Sequence, residues 1–152
     1  MESILLSLGI DFGTSGVRVS IINDKFDQIY FDRLDYIQGL ENYKDWKYCC
    51  INLIKTIPFD IKKNIKAICV DGTSGTLIAC DKNGIPLGDA IAYNKGFPEF
   101  SQYIETLVPN NNSACNIYSS LARAIYLTKI YGNDLKLRHQ ADWINGWLIN
   151  NW

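Results

Sequence analysis

The sequence has a single histidine, His139, and no Cys-x-x-Cys pair among its five cysteines. No metal-ligand spacing and no nucleophile–histidine arrangement can be drawn from such a set. His139 stands between Arg138 and Gln140 and reads as a solvated side chain. Charge of one sign is missing as well: 15 Lys and Arg against 16 Asp and Glu leave a formal net charge of -1. That balance provides neither the basic field expected of a nucleic-acid binder nor an acidic tail. The apolar run Ile4–Ile10 is too short to span a bilayer, and it lacks the basic flank and cleavage site of a signal peptide. An odd number of cysteines, with Cys69 and Cys80 inside apolar runs, points to buried reduced thiols and so to the cytoplasm.

What is present suits one folded domain. A chain of 152 residues that is 47% hydrophobic and 20% charged can bury a core of its own. Leu5 to Asp11 alternates, with Leu6, Leu8, Ile10 and Phe12 on one face. Val17–Asn23 and Gln28–Arg33 follow across turns, giving an antiparallel meander of three strands. Tyr43, Trp46, Cys50, Leu53, Ile54 and Ile57 recur at helical spacing until Pro58. The run Ile65–Val70 reads as a strand buried on both faces, and Thr76–Cys80 as a fifth strand before the turn Asp81–Gly84. Helices are expected over Glu99–Leu107, Ser120–Tyr131 and Asp142–Asn150, with Pro109–Ser113 as a loop and Asp142 as the cap of the last helix. On these helices Leu121, Ala124, Ile125 and Thr128 are expected to line one core face, and Trp143, Ile144, Trp147 and Leu148 another. Strands, a helix, a further strand and more helices make an α/β domain.

Chemistry concentrates in two turns. In "GIDFGTSGVR" (Gly9–Arg18), Gly13 and Gly16 allow unusual backbone geometry and close approach, and Thr14 and Ser15 add hydroxyl donors. Asp11 offers a carboxylate to Mg2+, directly or through water, and Arg18 a fixed positive charge to phosphoryl oxygens. A hairpin without a ligand would use the same residue types. The stretch "VDGTSGTL" (Val70–Leu77) repeats the pattern after a second strand, so both turns could border one crevice at the strand ends. Asp71 reads as a turn residue, whereas Thr73 and Ser74 read as ligand contacts. Asp89 and Asp142 read as surface or capping carboxylates.

These two turns, with "DKNGIPLGDAIAYN" (Asp81–Asn94), "YSSLARAIYLTK" (Tyr118–Lys129) and "ADWINGWL" (Ala141–Leu148), resemble the N-terminal domain of the FGGY carbohydrate kinases. The likeness runs from about Gly9 onward and is strongest to the D-ribulose and D-xylulose kinase branch. It implies an actin-like ATPase domain, with a ribonuclease-H-like mixed sheet that opens on three antiparallel strands. It implies ATP and Mg2+ as cofactors, with phosphoryl transfer to a hydroxyl of a pentulose. By the same resemblance Asp11 lies near the metal and the attacking hydroxyl. Gly13, Thr14, Ser15 and Arg18 lie around the transferred phosphate, and Ser74, with Thr73 and Gly75, touches the sugar. Some positions depart from the family pattern: Arg123 replaces a usual lysine, Ala124 a larger apolar residue, Tyr126 a tryptophan and Lys95 an aspartate.

The family's general base and its adenine site belong to a second half. The 152 residues are therefore expected to form an incomplete first domain that is inactive alone. It would be partnered by a separate C-terminal half or prone to self-association through an uncovered apolar face. Two other readings suit the residues: a fragment of a non-kinase actin-like ATPase, and a non-catalytic sugar-binding or interaction module. The first opens on a similar Asp-x-Gly-Thr turn but fits "DKNGIPLGDAIAYN" less well; the second draws on Lys95 and the short length.

Overall fold

The computed structural model describes residues 5–152, so Ile4 of the opening apolar run lies outside the described residues. The chain divides into two compact units, one ending at Gly72 and the other comprising Thr73–Trp152.

The first unit carries a four-stranded sheet in the order β3-β2-β1-β4, built from β1 (Leu6–Phe12), β2 (Gly16–Ile22), β3 (Gln28–Asp35) and β4 (Ile65–Gly72). The first three strands form the expected antiparallel meander, and β4 lies parallel to β1, making the sheet mixed. Alternation decides which face is buried. Leu6, Leu8, Ile10 and Phe12 of β1 and Val17, Val19 and Ile21 of β2 are all buried. Helix α1 (Tyr43–Thr56) packs on β2 and β3, burying Trp46, Cys49, Cys50 and Leu53. Each such side chain contributes about 1.5–3 kcal/mol of transfer free energy relative to exposure. Asn42 caps α1, its Oδ1 accepting from Lys44 N at 2.9 Å. The buried Asp45 carboxylate holds the preceding loop by accepting from Gln38 N and Gly39 N. A short helix α2 (Phe59–Lys62) leads into β4.

β4 corrects one expectation. Ala67, Ile68 and Cys69 are exposed, although the apolar run reads as a strand buried on both faces. The cause is position: β4 is the edge of the sheet, while α1 covers β2 and β3. Cys69 is accordingly not a buried thiol, whereas Cys49, Cys50 and Cys80 are, and all five cysteines are free.

The second unit is built on an antiparallel pair, β5 (Leu77–Cys80) and β6 (Lys136–His139). Its core joins Leu77 and Ala79 to Ile91, Phe97, Phe100, Ile104, Ala122 and Leu127. A 3-10 turn (Pro98–Phe100) precedes α3 (Ser101–Leu107), and Pro109–Ser113 is a loop as expected. The turn Asp81–Gly84 also forms, with Asp81 Oδ1 accepting from Asn83 N and Ile85 N. Helix α4 (Ser120–Tyr131) begins at its cap Ser119, which accepts from Ala122 N, and ends at Gly132 (φ 83°). Its buried residues are Ala122, Arg123 and Leu127; Leu121, Ala124 and Ile125 are only partly buried against the core.

Two features here differ from the sequence reading. β6 (Lys-Leu-Arg-His) has no hydrophobic run to announce it; backbone pairing with β5 makes it a strand. The last helix, α5 (Gln140–Ile149), starts before Asp142, which lies in its first turn instead of at the cap. The Gln140 N–H bonds the Thr76 carbonyl at 3.2 Å, so the chain turns helical directly from β6. Trp143 of α5 is buried and donates Nε1–H to Gly84 O at 3.0 Å.

Candidate functional site

β1 and β4 run parallel in register, with Asp11 opposite Asp71 and Phe12 opposite Gly72. The two Gly-Thr-Ser-Gly stretches, Gly13–Gly16 and Gly72–Gly75, therefore start from neighbouring strand ends.

The first turn is a tight connection from β1 to β2. Gly13 N donates to Gly16 O at 2.9 Å, and Tyr36 N donates to Ser15 O at 2.9 Å. Neither Gly13 nor Gly16 has a positive φ. Their need is for space. A Cβ on Gly13 would stand 2.7 Å from Arg18 Nη1, and one on Gly16 would strike Leu34 O of β3. Thr14 and Ser15 are exposed at the tip. Arg18, opposite Asp11 in the β1–β2 ladder, donates Nη1–H to Asp11 Oδ2 at 2.9 Å. Both side chains are close to half exposed, 45% and 49%.

Beside this pair is a concavity of about 320 Å³ on the sheet face that includes Gly9, lined by Gly9, Asp11, Arg18, Ser20, Phe31, Cys69 and Asp71. Two carboxylates and one guanidinium thus border a single hollow whose remaining lining is largely apolar. Asp71 Oδ1 also accepts from its neighbour Gly72 N at 2.8 Å, the turn role expected of it.

The second turn lies in the other unit and is held differently. Thr76 N donates to Thr73 O at 3.2 Å, and Gly75 has φ 79°, a left-handed value that favours glycine. Ser74 is exposed and Thr73 partly so. Two residues that the motif does not contain hold this turn. Gln140 Oε1 accepts from Thr73 N at 2.8 Å, and the Arg123 guanidinium lies against Gly75, its Nη2 3.0 Å from where a Cβ would be. Arg123 Nη1 also donates to Tyr93 O at 2.8 Å, tying in the loop that carries Lys95. Burial lowers the Arg123 pKa from its ordinary value. Lys95 is exposed, with Nζ 6.0 Å from the centre of the Tyr126 ring. Sequence reasoning assigned Arg123 and Gln140 no site role; a polar residue at a buried helical position is visible only once the helix faces are known.

Asp89, Asp142 and His139 are exposed. Among the described residues, no group of three or more His, Cys, Asp or Glu side chains could hold a metal ion. No helix among them is long and apolar enough to cross a membrane.

The fold is a mixed α/β arrangement shared with several solved carbohydrate kinases. Glycerol kinase from Plasmodium falciparum, solved with ADP, is similar over 96% of this chain and 34% of its own, at 18% identity and a TM-score of 0.73. A xylulose kinase from Bifidobacterium adolescentis is similar over 95% and 34%, at 14% identity and a TM-score of 0.75. Gluconate kinase from Lactobacillus acidophilus is similar over 95% and 33%, at 15% identity and a TM-score of 0.67. The chain thus spans about a third of the length of these structures. No protein-family model matches the sequence.

Proposed function

We propose that this chain is the N-terminal, sugar-binding part of an ATP-dependent carbohydrate kinase of the FGGY type, acting in the cytoplasm on a hydroxyl of a pentulose. The observation that carries the reading is the Asp11–Arg18 pair at the end of β1, with Asp71 across the ladder and Gly13 close beneath the Arg18 guanidinium. Paired carboxylates with one fixed cation suit phosphoryl transfer, in which positioning and charge balance dominate.

In this reading Asp11 would hold Mg2+, which is commonly bound by one or two carboxylates together with substrate phosphates. When bound, the ion neutralises phosphoryl charge. Arg18 orients Asp11 through their 2.9 Å bond and offers its remaining N–H groups to phosphoryl oxygens. Gly13, Thr14 and Ser15 border the phosphate, and Thr73, Ser74 and Gly75 contact the sugar. A general base for the hydroxyl proton, and the adenine site, belong to a further region of the kind that the longer neighbours have room for.

Calorimetry of the chain with D-ribulose and D-xylulose, with and without Mg-ATP, tests this. Binding of a pentulose is expected, without turnover unless a chain carrying the other half is added. A flat trace for both sugars would overturn the sugar-binding assignment, and phosphorylation by the isolated chain would overturn the need for a partner.

A further inference from the structure

We infer that Arg123 and Gln140 are positioning residues that hold the Thr73–Gly75 turn and the Tyr93–Lys95 loop in the form that receives the sugar. The inference rests on the sugar-binding reading for its ligand and on the geometry of the second unit for its substance. Arg123 is 2% exposed and Gln140 is fully buried. Charged and amide side chains are rarely placed so deeply, because an unsatisfied polar atom there costs about 1–3 kcal/mol. Arg123 Nε and Gln140 Nε2 are both buried without a hydrogen-bond partner, so neither residue is satisfied by its surroundings. Among the described residues Arg123 has no carboxylate partner either.

The bonds that these side chains do make converge on one place. Gln140 accepts from Thr73 N, the first residue of the turn, at 2.8 Å. Arg123 stands against Gly75, its last residue, and donates to Tyr93 O at 2.8 Å and more weakly to Lys95 O at 3.5 Å. Both come from regular structure, Arg123 from the first turns of α4 and Gln140 from the start of α5. The turn they grip is exposed at Ser74, has a left-handed residue at Gly75 and is closed by one backbone bond, Thr76 N to Thr73 O at 3.2 Å, so the two side chains add to a slender hold. A binding loop braced from beneath by buried polar groups on rigid helices loses less entropy when it takes a ligand.

The test uses the full chain and D-ribulose. Arg123→Met and Gln140→Leu are each expected to weaken D-ribulose binding by about tenfold or more, the effect of losing a buried hydrogen bond. Arg123→Lys, which keeps the charge and a donor, stays within about threefold of wild type. Ile144→Val, a packing change in α5 that removes no hydrogen bond, leaves affinity within about twofold while lowering stability. Amide exchange at 73–76 and 93–96 is expected to accelerate in Arg123→Met, with α1 unchanged. Gln140→Leu removes its contact independently, which keeps the inference open to refutation if Arg123→Met does not fold. Wild-type affinity in the two variants, or an equal loss in Ile144→Val, would overturn it. If the wild-type chain binds no D-ribulose, the sugar reading falls, and exchange alone judges the brace: unchanged protection at 73–76 in both variants would sink it.

Discussion

The two Gly-Thr-Ser-Gly turns are the same word in sequence and are different objects in space. The first closes an antiparallel pair with backbone bonds, Gly13 N to Gly16 O and Tyr36 N to Ser15 O, and both glycines at ordinary φ. The second leaves a parallel strand, contains a left-handed Gly75, and depends on side chains from α4 and α5. Glycine therefore answers two separate demands: absence of a Cβ at Gly16, freedom of φ at Gly75. A turn held through the backbone suits a rigid anion site. A braced turn can be tuned by residues that never touch the ligand.

The largest expected effect separates these demands. Gly16→Ala drives a methyl into the β3 backbone at Leu34 and Asp35, which cannot swing aside as a side chain would. A loss of about 3 kcal/mol is expected. Gly75→Ala meets the end of a flexible arginine and a strained φ, and should cost about 1–2 kcal/mol. Urea titration of both variants checks the order, and a reversed order would break the contrast.

A second difference is set by the thiols. Burial pushes Cys49 and Cys50 in the first unit up to about 11, with the Asp45 and Asp35 carboxylates adding to Cys49 and the neighbouring Cys49 adding to Cys50. Burial does the same to Cys80 in the second unit, also to about 11, partly opposed by Arg138. The ordinary value is 9.0, so the unfolded chain loses these protons first as pH rises. Stability is full below about pH 9 and falls progressively toward pH 11. The first unit holds two of the three thiols, so Cys49→Ala/Cys50→Ala should flatten the alkaline fall in urea titrations more than Cys80→Ala does. Equal flattening would blunt the comparison.

The smallest effect belongs to Asp11→Asn. Its ion pair with Arg18 is nearly half exposed at both ends, so the expected loss of stability is under about 1 kcal/mol. A larger thermal shift would mark Asp11 as structural and weaken its assignment to the metal and the hydroxyl.

Much of the fold was readable because burial follows periodicity. Leu6, Leu8, Ile10 and Phe12 announce their strand by alternation, and Trp46, Cys50 and Leu53 their helix by spacing. Of the candidate site, Asp11 and Arg18 stood out singly by residue type, but their pairing did not; the β1–β2 register sets them opposite one another. β4 was misjudged because its apolar residues cannot say whether a neighbour covers them; α1 packs on β2 and β3, and β4 is left at the edge. β6 was invisible because strand pairing uses backbone groups that every residue has.

Local order was therefore a property of the sequence itself: the meander, the first turn and the helical spacing of α1. What only the tertiary structure decided was which polar side chains lie inside. Arg123 reads as a helix residue in place of a usual lysine and Gln140 as a residue ahead of the last helix, and packing buries both against the second turn. The physical reason is range. Periodicity and turn chemistry act over a few residues, whereas the contact between Gln140 and Thr73 closes 67 positions of chain and exists only after the unit has folded.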